Sequence, residues 1–232
     1  MLMLFESNLQ RVLNDATFGL PYWDWAADGD KTPGKQKQSK LWATNCMGGS
    51  GTPVTKGPFG FKSSDPASFR VRIEADAFGQ LRSVNRGLSR SFATSGVATL
   101  PKTQHVSDAL ALASYDAAQW DADSDGFRNR AEGWSGSAVE PWMHNRVHVW
   151  VGGDMLPGTS PNDPVFFLNH CNIDRIWESW MTNNGRTYLP TMTAPANLVG
   201  QRIDDPISSP DSTTTPRAVL NVSSVYAYDV LP

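Results

Sequence analysis

Residues Asp163 to Asp174 read D-P-V-F-F-L-N-H-C-N-I-D, and His144 to His148 read H-N-R-V-H. Asp163-Pro164 suits a helix start, with Asp at the cap and Pro at the first helical position. The helix should carry Phe166, His170 and Asp174, run to about Trp180, and end near Asn183-Asn184-Gly185. In the shorter stretch, imidazoles at i and i+4 share one helix face. The chain has four histidines. Three of them, His144, His148 and His170, lie in this part of the sequence. Neutral imidazole suits copper, zinc, nickel and iron. Two facing helices bearing these rings would make a three-histidine metal site. His105 lies far upstream in a polar stretch, so a second such site is not available.

The bulk properties narrow the class. The chain has 232 residues, a length that suits one large domain over 1–232 with its own core. Charged residues make up 19% and the net charge is −3, so neither nucleic acid nor an anionic membrane is expected as a partner. No apolar run approaches the ~20 residues that span a bilayer. The apolar start, Met1 to Phe5, is too short for a signal peptide and lacks a basic lead. The compartment stays open between the cytoplasm and export by way of another segment or a partner. Two cysteines, Cys46 and Cys171, do not make a disulfide framework. Trp134, Trp142, Trp150, Trp177 and Trp180 lie near the histidines and predict bulky aromatic walls.

Periodicity predicts a helix over Met1–Asn14, with no residue to cap its start. Tyr22, Trp23 and Trp25 form an aromatic block expected in the core, and Ala26 to Lys62 reads as loop. A short extended piece over Phe69–Ile73 and a helical turn over Ser83–Ser91 follow. Thr103–Asp116 reads as helix, with Thr103 or Ser107 as cap. Asp121–Arg130 reads as loop, Glu140–Trp150 as the helix of the histidine pair, and Val225–Val230 as a short β-like end. The sum is mainly α with long irregular loops, a helix bundle around a metal.

The stretch from Asp163 to Asp174 resembles the second copper-site signature of the tyrosinase family, D-P-x-F-x-x-x-H-x-x-x-D. The block L-P-Y-W-D-W (Leu20 to Trp25), S-D-G-F-R-N-R-A-E-G-W (Ser124 to Trp134), H-N-R-V-H-V-W-V-G-G (His144 to Gly153) and Y-A-Y-D-V near the C-terminus are similar to bacterial tyrosinases. The resemblance implies a type 3 copper four-helix bundle and oxidation of phenols, catechols or o-aminophenols to quinone-type products with O2. His144, His148 and His170 would hold one copper. Glu132 and Asn145 match residues that hold a water thought to deprotonate monophenols. Asp174 would orient a histidine or an arginine. The implied partners are a phenolic or aminophenolic small molecule, O2 and a copper-delivery helper protein.

The departures are as specific. The family's complete site holds two coppers, and its other three histidines precede an L-x-x-x-E that matches Leu2 and Glu6. Those histidines are absent from this chain, which implies a bundle incomplete at the N-terminus and a chain inactive alone. The other outcomes are a copper-binding remnant and a hemocyanin-like oxygen carrier. Asn169 stands where many relatives have histidine, and Cys171 replaces a small residue beside His170. Val149, Met155 and Leu156 are candidates to face the substrate. A zinc protease would need Glu after the first histidine, where Asn145 stands. Asp121 to Glu132 also fits the EF-hand loop formally, but Arg128 fills its apolar eighth position, so calcium is not expected. Tyr226 and Tyr228 are expected to pin the tail to the bundle.

Overall fold

The computed structural model describes residues 1–133, 142–193, 196–207 and 213–232. Its helices in chain order are α1 (Leu2–Leu13), α2 (Trp25–Gly29), α3 (Pro33–Gln36), α4 (Thr103–Leu110), α5 (Phe127–Glu132), α6 (Met143–Val151) and α7 (Val165–Asn183). A hairpin of β1 (Val71–Ala75) and β2 (Leu81–Arg86) lies between α3 and α4. The described residues are thus mainly α, as the sequence predicts.

The 19-residue α7 is the axis of the fold, and α1, α4, α5 and α6 all pack on it. It starts where Asp163 accepts a hydrogen bond from the Val165 N–H at 3.0 Å. It ends at Asn183, and Gly185 just beyond takes a positive φ of 65° that turns the chain away. Burial of Phe166, Leu168, Ile176, Trp180 and Met181 on α7 matches its central place. On α6 the buried residues are Met143, Val147, Trp150 and Val151, a spacing that puts one face inward. His144 and His148 lie beside that face.

Aromatic rings fill the core. Phe92 stacks on Trp150 at 5.0 Å, Phe127 stacks on Trp180 at 4.9 Å, and Trp42 lies 4.4 Å from Phe92. Trp23 and Trp25 are buried as expected. Tyr22 is half-buried under the Arg175 guanidinium, 4.3 Å from its ring centre. Val54, Val71 and Leu88 form a small separate cluster beneath the hairpin.

Several expectations needed correction. Ser83–Ser91 is not a helical turn; its first residues belong to β2, paired with β1 through Ile73–Ser83 and Ala75–Leu81. Asp76 closes the hairpin by accepting the N–H groups of Phe78 and Gln80 at 2.8 and 2.9 Å. The loop over Ala26–Lys62 contains α2 and α3, held by the buried Gln36 amide, which donates to the Gly29 and Lys31 carbonyls. The fourth helix stops at Leu110, short of Asp116, and its cap position is Lys102. Residues expected as loop before Arg130 form the start of α5. The tail over Val225–Val230 makes no strand; Tyr226 and Tyr228 hold it by side-chain hydrogen bonds. Trp134 and the expected helix start at Glu140 lie outside the described residues.

Candidate metal centre

The three histidines come together. The Nε2 atoms of His144 and His170 are 3.2 Å apart, and those of His148 and His170 are 3.3 Å apart. Donors each ~2.0–2.1 Å from one ion are spaced in this range. Among the described residues, this is the one grouping of three potential ligands. His105 is elsewhere: its Nδ1 accepts the Lys102 N–H at 3.1 Å and its ring lies 5.6 Å from Trp142.

Each ring is oriented from behind. His144 Nδ1 donates to a Glu132 carboxylate oxygen at 3.0 Å. His148 Nδ1 donates to the Met155 carbonyl at 2.6 Å. Both bonds place the proton on Nδ1 and leave the Nε2 lone pair facing the shared point. His170 is fixed by stacking: its ring lies 3.8 Å from Phe166, one turn earlier on α7. Burial, with the neighbouring His144, lowers the pKa of His148 to about 4. Burial, with His144 and His148, lowers that of His170 to about 3. Both rings are therefore neutral at physiological pH, the form that binds a metal. Three imidazoles whose Nε2 atoms converge fit copper.

Glu132 lies beside the triad through its bond with His144. The hydrogen bond from His144 lowers its pKa, against the opposing effect of burial. The residue therefore carries a carboxylate at neutral pH. Asn145 follows His144 on α6, and its amide nitrogen is buried with no protein acceptor. Asp121 spends one oxygen on the Asp123 N–H and the Ser124 hydroxyl at 3.1 and 3.0 Å, while Glu132 turns to His144.

Asp174 does not orient a histidine. Its Oδ2 accepts the hydroxyls of Tyr226 and Tyr228 at 2.7 and 2.6 Å, and burial raises its pKa against those two bonds. It lies one turn beyond His170, so i+4 spacing alone made it look like part of the site. Met155 serves through its carbonyl; its side chain is fully buried, while Leu156 is exposed. Cys171 is buried and unpaired beside His170, and burial raises its thiol pKa to about 12. Phe166 and the Met155 carbonyl were not anticipated as orienting groups. The aromatic four residues before His170 was the legible clue to the first; the second had none.

Comparison with known proteins agrees with this geometry. A family model described as the common central domain of tyrosinase matches residues 1–183. The chain belongs to the tyrosinase family. A tyrosinase of Streptomyces antibioticus is 41% identical over 234 residues, covering 99% of this chain and 76% of the relative. Grixazone synthase of Streptomyces griseus is 36% identical, over 98% of this chain and 77% of the relative. A polyphenol oxidase variant from Thermothelomyces thermophila shares the fold at a TM-score of 0.56 and 22% identity, covering 92% of this chain and 62% of that one. As a tyrosinase family member the protein is a copper-dependent oxidoreductase acting on phenols. No helix among the described residues is long and apolar enough to cross a membrane.

Proposed function

We propose that this chain holds one copper ion on His144, His148 and His170 and that Glu132 and Asn145 assist deprotonation of a phenolic substrate beside it. The convergence of three Nε2 atoms, with the 3.2 and 3.3 Å separations, carries the reading. Copper supplies electron transfer to O2. The residues of this chain do the rest. A phenol has a pKa near ~10, so a base must take its proton before it can bind as phenolate. Glu132 is a carboxylate at neutral pH, and its side chain is 54% exposed, so a water can sit on it. The Asn145 amide nitrogen is buried without a protein acceptor and would be free to hold such a water. General base catalysis of this kind is worth about 10²–10⁴-fold. An oxidase of phenols, catechols or o-aminophenols is favoured over an oxygen carrier by a base, Glu132, hydrogen-bonded to a ring of the triad.

Conversion of a catechol to a quinone releases two electrons and two protons, which O2 would take up. The fourth histidine is remote, and the described residues supply one such ligand set. We therefore expect this chain alone, loaded with copper, to consume O2 with catechol no faster than free copper. Quinone formation by this chain well above free copper, abolished by His148→Ala, would overturn the one-copper reading.

A further inference from the structure

We propose that Arg86 and Asp154 are positioning residues for His148, acting through the turn that presents the Met155 carbonyl. The proposal rests on His148 as a copper ligand. The chain of contacts is continuous. The Met155 carbonyl accepts His148 Nδ1–H at 2.6 Å. The preceding residue, Asp154, is clamped at two points on Ser89: its N–H donates to the Ser89 carbonyl at 2.8 Å, and its carboxylate accepts the Ser89 N–H at 2.7 Å. The same carboxylate takes a two-pronged grip from Arg86, at 2.8 and 2.6 Å. Arg86 is itself held from the other side, its Nε donating to Glu74 at 2.7 Å. Glu74 in turn pairs with Arg82 at 2.6 Å.

This ladder runs from the hairpin to the metal centre. It closes a backbone approach that tolerates no side chain at Gly153. There φ is +56°, and an added Cβ would stand 2.2 Å from the Ser89 carbonyl. Asp154 is almost fully buried, so its carboxylate has Arg86 and Ser89 instead of water. A planar guanidinium gripping both oxygens fixes direction as well as distance. The turn over residues 153–155 is thereby prevented from rotating. Its carbonyl then selects the Nδ1–H form of His148 and aims Nε2 at His144 and His170.

The test reads His148 before any metal is added. Nitrogen NMR of the metal-free protein at neutral pH should show His148 as the Nδ1–H form. In Asp154→Ala it should become a mixture of the two neutral forms, with His144 unchanged. Copper affinity, measured by competition with a chelator, should fall about 10–100-fold, as loss of a group behind a ligand typically does. Asp154→Asn keeps an acceptor for Ser89 and should recover part of both effects. If Asp154→Ala does not fold, Arg86→Gln, at a partly exposed position, reads the same signals. Arg217→Gln, which removes an exposed pair with Asp204, should change neither. An unaltered His148 spectrum and affinity in the Asp154 or Arg86 variants would overturn the proposal. So would an equal disturbance of His144, which would mean general loosening. His148→Ala separates the two ideas: if it leaves copper affinity intact, the ligand assignment fails, whatever the NMR shows.

Discussion

The two ends of this fold are held in opposite ways. The helices α6 and α7 are fixed by partners far away in sequence. Arg90, fully buried, grips both oxygens of Asp163 at 2.7 and 2.6 Å, and Asp163 starts α7. Arg86 grips Asp154 in the turn that follows α6. Two arginines four residues apart thus tie down the elements that carry His148 and His170. By contrast α1 has no buried residue. It is attached by the stacking of Phe5 on Phe167 at 3.9 Å, by the Leu20 N–H donating to the Glu6 carboxylate and by the Gln10 amide donating to the Phe18 carbonyl. Met3, Leu4, Val12 and Leu13 remain exposed. The segment Arg86–Arg90 thus reaches both elements that carry His148 and His170 through ion pairs, whereas α1 reaches α7 through the Phe5–Phe167 stack. Few buried apolar contacts also mark α1 as a low-stability unit.

The largest effect should come from breaking the buried grip. Asp163→Ala leaves the Arg90 guanidinium buried without its counter-charge and removes the acceptor of the Val165 N–H at the start of α7. A loss of about 3–5 kcal/mol is typical of such a break, and urea unfolding would measure it. A loss below ~1 kcal/mol would mean that the ion pair is not what holds α7.

A smaller, graded effect should follow pH. The pKa of His148 is about 4 and that of His170 about 3 in the folded protein, against ~6.5 unfolded. As pH falls, the unfolded chain takes up protons first, so the metal-free protein loses stability between pH ~6.5 and the folded values. Above that window these rings are neutral in both states and the contribution is flat. Changing His170 to Asn should make the slope in this window shallower, because carboxylates titrate alike in both proteins. An unchanged slope would show that His170 does not titrate as its surroundings imply.

The smallest effect should be on α1. Val12→Ser or Leu13→Gln should change global stability by no more than about 0.5 kcal/mol, the usual range for surface positions. Met143→Ala in the core, by comparison, should cost about 2–5 kcal/mol. A cost of that size at Val12 would show that α1 is part of the cooperative core.

Much of the site was legible because its signals are local. His144 and His148 share a helix face by spacing alone, and Asp163-Pro164 announces the start of α7 to within a residue or two. The first helix was legible to within one residue at each end. What escaped was long-range. In Leu81–Arg86 the apolar residues Leu81 and Val84 do not alternate, so β2 showed no strand period; its partner and the Asp76 turn define it. The short α5 is masked by D-A-D-S-D-G, which looks like a loop. Arg86 and Arg90 meet their aspartates across 68 and 73 residues, and no spacing rule predicts such a pair. Asp174 misled for the converse reason: its spacing from His170 is right, but the tail tyrosines, more than 50 residues on, take its oxygen.

A copper titration under a competing chelator tests the central claim most directly. One copper per chain is expected to bind tightly, with binding lost in His170→Ala while the variant keeps its helical content. Two tightly bound coppers per chain, or one that survives His170→Ala, would contradict the assignment of the triad.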